Sequence, residues 1–250
     1  MGYFTVDLKP DFTASLLQAG PCNGKVLFDW TPIQVPKGTV CLRSVVALIR
    51  PKGDATPTNN DFPFDLYFST TNTTSLGVYR GDLTHNPHNG YIGAVGILAT
   101  NYGSSGNNNG TVVAVAGGRA GDGSEDFGVP IIMTPIESAS AGFDTIYVAG
   151  FSQDAFNFVT INTIETTEAA STTIHCDGSS MDLRHHFLPG DVLHTATTVG
   201  AADADTLIGT VLTVDSATNI TLTDTAAVTH VDGTLIMNIN PIRIKLGFEQ

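Results

Sequence analysis

Hydrophobic and polar residues alternate with a period of two along much of this chain. Successive strand residues point to opposite faces of a sheet, so the alternation predicts half-buried β-strands. Between residues 62 and 68, Phe62, Phe64, Leu66 and Phe68 share one face, and Pro63, Asp65 and Tyr67 share the other. The C-terminus repeats the pattern, with Ile242, Ile244, Leu246 and Phe248 set against Arg243, Lys245 and Glu249. Residues 38–50 place Val40, Leu42, Val46 and Leu48 on one face and Cys41, Val45, Ala47 and Ile49 on the other. Both faces are largely apolar there, which predicts a strand in the middle of a sandwich or against a partner. Residues 144–151 predict another strand. Helical periodicity is confined to short stretches such as 12–19.

Clusters of Gly, Pro, Asn and Asp separate these runs at 51–60, 86–90, 102–110 and 117–126. Such residues permit the backbone angles of turns, and the tract at 102–110 reads as an exposed hairpin loop. The Thr-rich run 163–173 reads as an edge strand or a connector. A compact β-unit follows. Residues 189–194 are a turn entering a strand, 207–214 a second strand, 215–219 a turn into 220–223, and 234–239 a closing strand. Short strands at this spacing predict a small SH3-like β-barrel, with Pro241 separating it from the terminal strand. A length of 250 residues allows one large β-domain or two smaller ones. The fold class expected is all-β. A jelly-roll-like β-sandwich main domain would span 1–165 plus 241–250, and the small acidic barrel 166–240 would be inserted before its last strand.

Composition narrows the function classes. Only 14% of residues are charged, while there are 33 Thr, 15 Asn and 26 Gly, so hydroxyls and amides supply much of the polarity. Coiled-coil and wholly disordered chains are excluded by this composition. With 11 basic against 24 acidic residues, phosphate would be repelled and no nucleic-acid partner is expected. The acidity is uneven: residues 1–150 carry 12 acids and 8 bases, whereas residues 151–240 carry 11 acids and one base, Arg184. No apolar run reaches 18 residues, so neither a spanning helix nor a membrane partner is expected. The N-terminus lacks a basic region followed by an apolar core, so no secretory signal is expected either. Cys22, Cys41 and Cys176 form no CxxC pair and read as small thiols in a reducing compartment, with a Cys22–Cys41 disulfide as the alternative.

Candidate chemistry is sparse. His175, Cys176, Asp177, His185, His186 and His194 cluster within twenty residues. A zinc site wants ligand pairs at fixed spacing, which this run lacks, and adjacent histidines on a strand point apart. Surface histidines are expected, with a metal site between His175 and His194 as the alternative. The acidic runs 122–126 and 203–205 lack the spacing of a twelve-residue calcium loop. They read as solvated turns, with a weak calcium site as the alternative. No nucleophile elbow, phosphate loop, dinucleotide fingerprint or His-Glu-x-x-His motif is present. A glycosidase carboxylate pair is not readable from spacing among 24 acids. Trp30, the single tryptophan, reads as a core residue, with a sugar platform as the alternative. No catalytic, cofactor-binding or metal residues are therefore assigned.

Residues 190–193, 207–211 and 214–222 resemble a small β-barrel module found in structural proteins of tailed bacteriophage virions. The first 160 residues resemble the Thr/Gly/Asn-rich β-sandwich or jelly-roll proteins of such particles, as in the run 28–40. The size resembles most a capsid decoration (cement) protein. That resemblance implies a non-enzymatic virion protein, assembled in a host cytoplasm, binding the major capsid protein as a homo-oligomer, commonly a trimer. Lys9, Lys25, Lys37, Arg43, Arg50 and Lys52 would then mark a capsid-facing side, with residues 151–240 outward. A tail or head fibre protein binding host-surface glycans is the alternative, and a β-sandwich glycan hydrolase or lyase a third class.

Overall fold

The structure is a computed structural model describing residues 2–10, 12, 24–51, 59–79, 81–83, 90–103, 112–116, 129–137, 142–156, 158, 162–167, 170–177, 182–196, 206–226 and 229–250. The predicted helical stretch 12–19 apart from Phe12, Cys22, most of the turn cluster 51–60, both acidic runs at 122–126 and 203–205, and most of 102–110 lie outside the described residues. The chain is all-β; among the described residues the helical segments are a 3-10 turn at Ala99–Asn101 and one α-helical turn at Leu183–His186.

The strands are β1 (Tyr3–Leu8), β2 (Lys25–Pro36), β3 (Val40–Ile49), β4 (Phe64–Ser69) and β5 (Tyr91–Ile97). They continue with β6 (Val112–Ala116), β7 (Ile131–Met133), β8 (Ile136–Glu137), β9 (Phe143–Ser152) and β10 (Thr173–His175). The last five are β11 (Val192–Ala196), β12 (Thr206–Val214), β13 (Asn219–Leu222), β14 (Leu235–Asn238) and β15 (Ile242–Glu249). One antiparallel sheet, here sheet A, runs β1-β15-β3-β6, with β7 also on β3. Sheet B runs β2-β9-β4-β5, with β8 also on β9. The inner faces of the two sheets meet in one core. Phe64, Leu66 and Phe68 from β4 pack there with Ile242, Ile244, Leu246 and Phe248 from β15. The terminal strand therefore returns to the first sheet, between β1 and β3.

The alternation in β3 is not the simple one expected. Val40 and Leu42 share the buried face with Val45, Ala47 and Ile49, while Val46 and Leu48 are only half-buried. The cause is a bulge: Ser44 pairs with Gly247 and Leu42 with Phe248, so Arg43 has no opposite residue. One extra residue reverses the phase of everything beyond it. A Cβ on Gly247 would lie 2.4 Å from Ser44 Oγ, which explains glycine opposite the bulge.

Sheet C runs β10-β13-β12-β11-β14 and covers a second core that includes Ile174, Leu183, Phe187, Leu193, Ile220 and Ile236. Among the described residues its strands form an open sheet, not the closed barrel expected. Residues 162–165 link its two edges. Ile236 N donates to Asn162 O and Ile164 N to Thr234 O (both 2.9 Å), while Asp177 N donates to Thr163 O (2.9 Å) and Glu165 N to His175 O (3.0 Å). The Thr-rich run is thus part connector and part β10. β14 serves both cores: Leu235 and Met237 pack in the sandwich, and Ile236 packs under sheet C.

Candidate functional site

Three places on the molecule carry arrangements that the strand pattern alone does not require. The first is a buried ion cluster where sheet C meets the sandwich. Asp191, fully buried, receives Arg50 from the end of β3, with Nη2 at 2.9 Å from Oδ1 and Nε at 3.3 Å from Oδ2. Arg243 Nη2 of β15 also donates to Asp191 Oδ1. The Asn238 amide and the Leu188 backbone N–H complete the carboxylate, each at 2.8 Å. Every acceptor position is used, so the cluster is a fastening of two units and offers nothing to a ligand.

The second place is the outer face of sheet A. Register sets Asp7, Lys245, Val46 and Val115 in one row across the sheet, and Arg243, Leu48 and Val113 in the next. A third row holds Tyr3, Glu249, Cys41 and Ile132. Charge runs from β1 and β15 onto β3, with Lys245 paired to Asp7 (2.7 Å) and Arg43 of β3 to Glu249 (2.6 Å). The remaining exposed residues of β6 and β7 are apolar, with Val113, Val115 and Ile132 exposed by 41, 50 and 71%, and Arg43 and Ser44 of β3 stand between Ile132 and the two valines. No described element covers Val113, Val115 and Ile132, and exposed apolar side chains grouped on one sheet face make a candidate contact surface.

The third place is an open cleft of 530 Å³ at the lateral edge where β1 and β2 meet. Two successive bulges in β2, at Val26/Phe28 and Phe28/Thr31, push Asp29 and Trp30 out of the ladder toward residues 74–79. Trp30 Nε1 donates to Thr74 O (2.9 Å), and Asp29 accepts from Ser75 Oγ (2.5 Å) and Leu76 N (2.8 Å). Phe12, Tyr79 and Lys9 complete the lining. Trp30 is half-buried: it packs against the small apolar cluster of Val26, Leu76 and Ala149, as a core residue would, and also lines the cleft. Its position depends on bulges, which leave no mark in an alternation pattern.

The histidine run does not converge. His175 lies exposed on β10, His194 half-buried on β11, and Cys176 is buried in the second core. His185 and His186 sit on the helical turn and not on a strand. His185 faces solvent near Asp182, while His186 is buried. Burial pushes the His186 imidazole down to about 3, assisted by His185 and Arg50 and opposed by Asp182. Among the described residues, no three His, Cys, Asp or Glu side chains group as metal ligands.

The early bases are also differently employed than expected. Arg50 is held in the Asp191 cluster, Lys25 is paired with Asp82 (2.5 Å), Lys9 lines the cleft, and Lys37 is exposed. Lys52 lies outside the described residues. Asp65, on the outer face of sheet B, is raised by burial although Gln153 Nε2 donates to it at 2.7 Å; neighbouring Tyr67 is pushed up to about 12, mainly by burial. No protein-family model, curated protein or solved structure matches the chain.

Proposed function

We propose that this protein is a non-enzymatic structural component of a tailed-bacteriophage virion, one that decorates and stabilises the capsid by binding the major capsid protein. The carrying observation is the apolar strip of Val46, Leu48, Val113, Val115 and Ile132 on the outer face of sheet A. Burying such a strip against a partner releases its surface from water at roughly 25 cal/mol per Å².

Strand order supports the same reading. With the two short strands β7 and β8 set aside, the sandwich strands numbered one to eight along the chain give sheets 1-8-3-6 and 2-7-4-5. We read this interleaved order as jelly-roll-like, an architecture that serves viral capsids among other uses. Sheet C, with residues 162–165 linking its edges, we read as an SH3-like unit inserted before the last strand. The resemblance of residues 190–222 to virion modules points the same way. In this arrangement the apolar strip makes the capsid contact, the acidic unit faces outward, and copies associate as trimers on the shell.

Electron microscopy of the particle that carries this chain tests the proposal. Density for the chain over capsomer junctions is the expected result; density confined to the tail would contradict it.

A further inference from the structure

We propose that the cleft beside Trp30 is a carbohydrate-binding site, separate from the capsid-docking face. A sugar ring offers an apolar C–H face and a rim of hydroxyls, so a site for it needs an aromatic wall with a few fixed polar groups beside it. The cleft supplies both. Trp30 and Tyr79 contribute aromatic surface, with Phe12 buried behind them, and Lys9 contributes an amine and Ser75 a hydroxyl oxygen at its border. Its volume of 530 Å³ falls in the range of small-molecule sites, about 300–1,000 Å³.

The wall is built before any ligand arrives. Trp30 is tied to the Thr74 carbonyl, and Asp29 fixes Ser75 and Leu76, so the loop and the indole hold one another. Tyr79 stands edge-on to Phe12 at 5.3 Å. A Cβ on Gly77 would lie 2.7 Å from Asp82 O and 2.9 Å from Val26 Cγ2, so only glycine lets the loop approach this closely. Preorganised walls avoid the ordering cost that weakens binding. Among its described lining residues the charged ones are Lys9 and Asp29, and the chain carries −13 overall, which does not suit a polyphosphate. It lies at the β1/β2 edge, whereas the apolar strip lies toward β6. A chain docked by that strip would keep the cleft open to solvent.

Trp30 is the sole tryptophan, so emission from the full chain reports on the cleft alone. The chain is titrated with methyl glycosides of glucose, galactose, mannose and N-acetylglucosamine, and with N-acetylneuraminic acid. The expected result is a saturable shift of Trp30 emission with at least one of them. Tyr79→Ala should weaken that binding about tenfold, and the surface change Lys9→Ala should weaken it severalfold, with Val113→Glu leaving it unchanged. The proposal is overturned if no sugar moves the emission, or if the shift is undiminished in both cleft variants. It is equally overturned if only the apolar dye 1-anilinonaphthalene-8-sulfonate binds.

Discussion

Asp191 is a single carboxylate on which two arginines from separate strands converge, and it has no exposure to water. Removing one member of such a buried group leaves the remaining charges without the counter-charge they were buried with, at a cost of about 3–5 kcal/mol. Asp191→Ala should therefore lower stability by that amount in urea unfolding, and a loss under about 1 kcal/mol would contradict this role. His186 acts through pH. In the unfolded chain it titrates near 6.5, but in the folded protein only near 3. As pH falls below 6.5 the unfolded state takes up the proton first, so stability declines until the folded value is reached. The slope is at most about 1.4 kcal/mol per pH unit. His186→Gln should flatten the stability profile between pH 6.5 and about pH 5, above the range where ordinary carboxylates titrate; an unchanged profile would contradict the assignment. Neither role is legible in sequence. Arg50 read as a surface base because nothing near it in the chain announces a carboxylate 141 residues away.

Strands whose alternation is unbroken were readable directly. β4 and β15 bury the apolar residues their period assigns to the core, although Asp65, Ser69 and Glu249 on the opposite faces are buried as well. Readability fails at bulges. One extra residue at Arg43 reverses the phase of β3, and two in β2 turn Trp30 into a cleft wall. The same stretch of β2 demands a glycine opposite it, since a Cβ on Gly150 would stand 2.4 Å from the Phe28 ring. Gly150→Ala should cost about 1–3 kcal/mol by overpacking, and Phe28→Leu in the same chain should recover part of the loss. Thermal unfolding of the single and double variants checks both. β14 shows the limit of reading elements as belonging to one domain, because its alternate residues feed different cores. Deleting residues 165–240 to test which unit docks would strip Leu235 and Met237 from the sandwich. Point substitutions on exposed faces are the cleaner probe.

At the scale of the whole molecule, chemistry and charge are separated in space. The outer face of sheet A carries ion pairs along β1, β15 and the Arg43 bulge of β3, and exposed apolar residues on β6 and β7. The lateral edge at β1 and β2 carries the cleft, and the acidic unit is fastened to the sandwich by Asp191. The all-β class was legible because alternation and turn chemistry agree along the chain. The grouping of exposed Val113, Val115 and Ile132 on sheet A was not, because it depends on which strands become neighbours, and register decides that. Co-sedimentation of the full chain with shells of the major capsid protein tests the central proposal most directly. The unmodified chain should pellet with the shells, and the double variant Val113→Glu with Val115→Glu should stay in the supernatant while its circular dichroism is unchanged. A folded double variant that pellets as well as the original would contradict docking through sheet A.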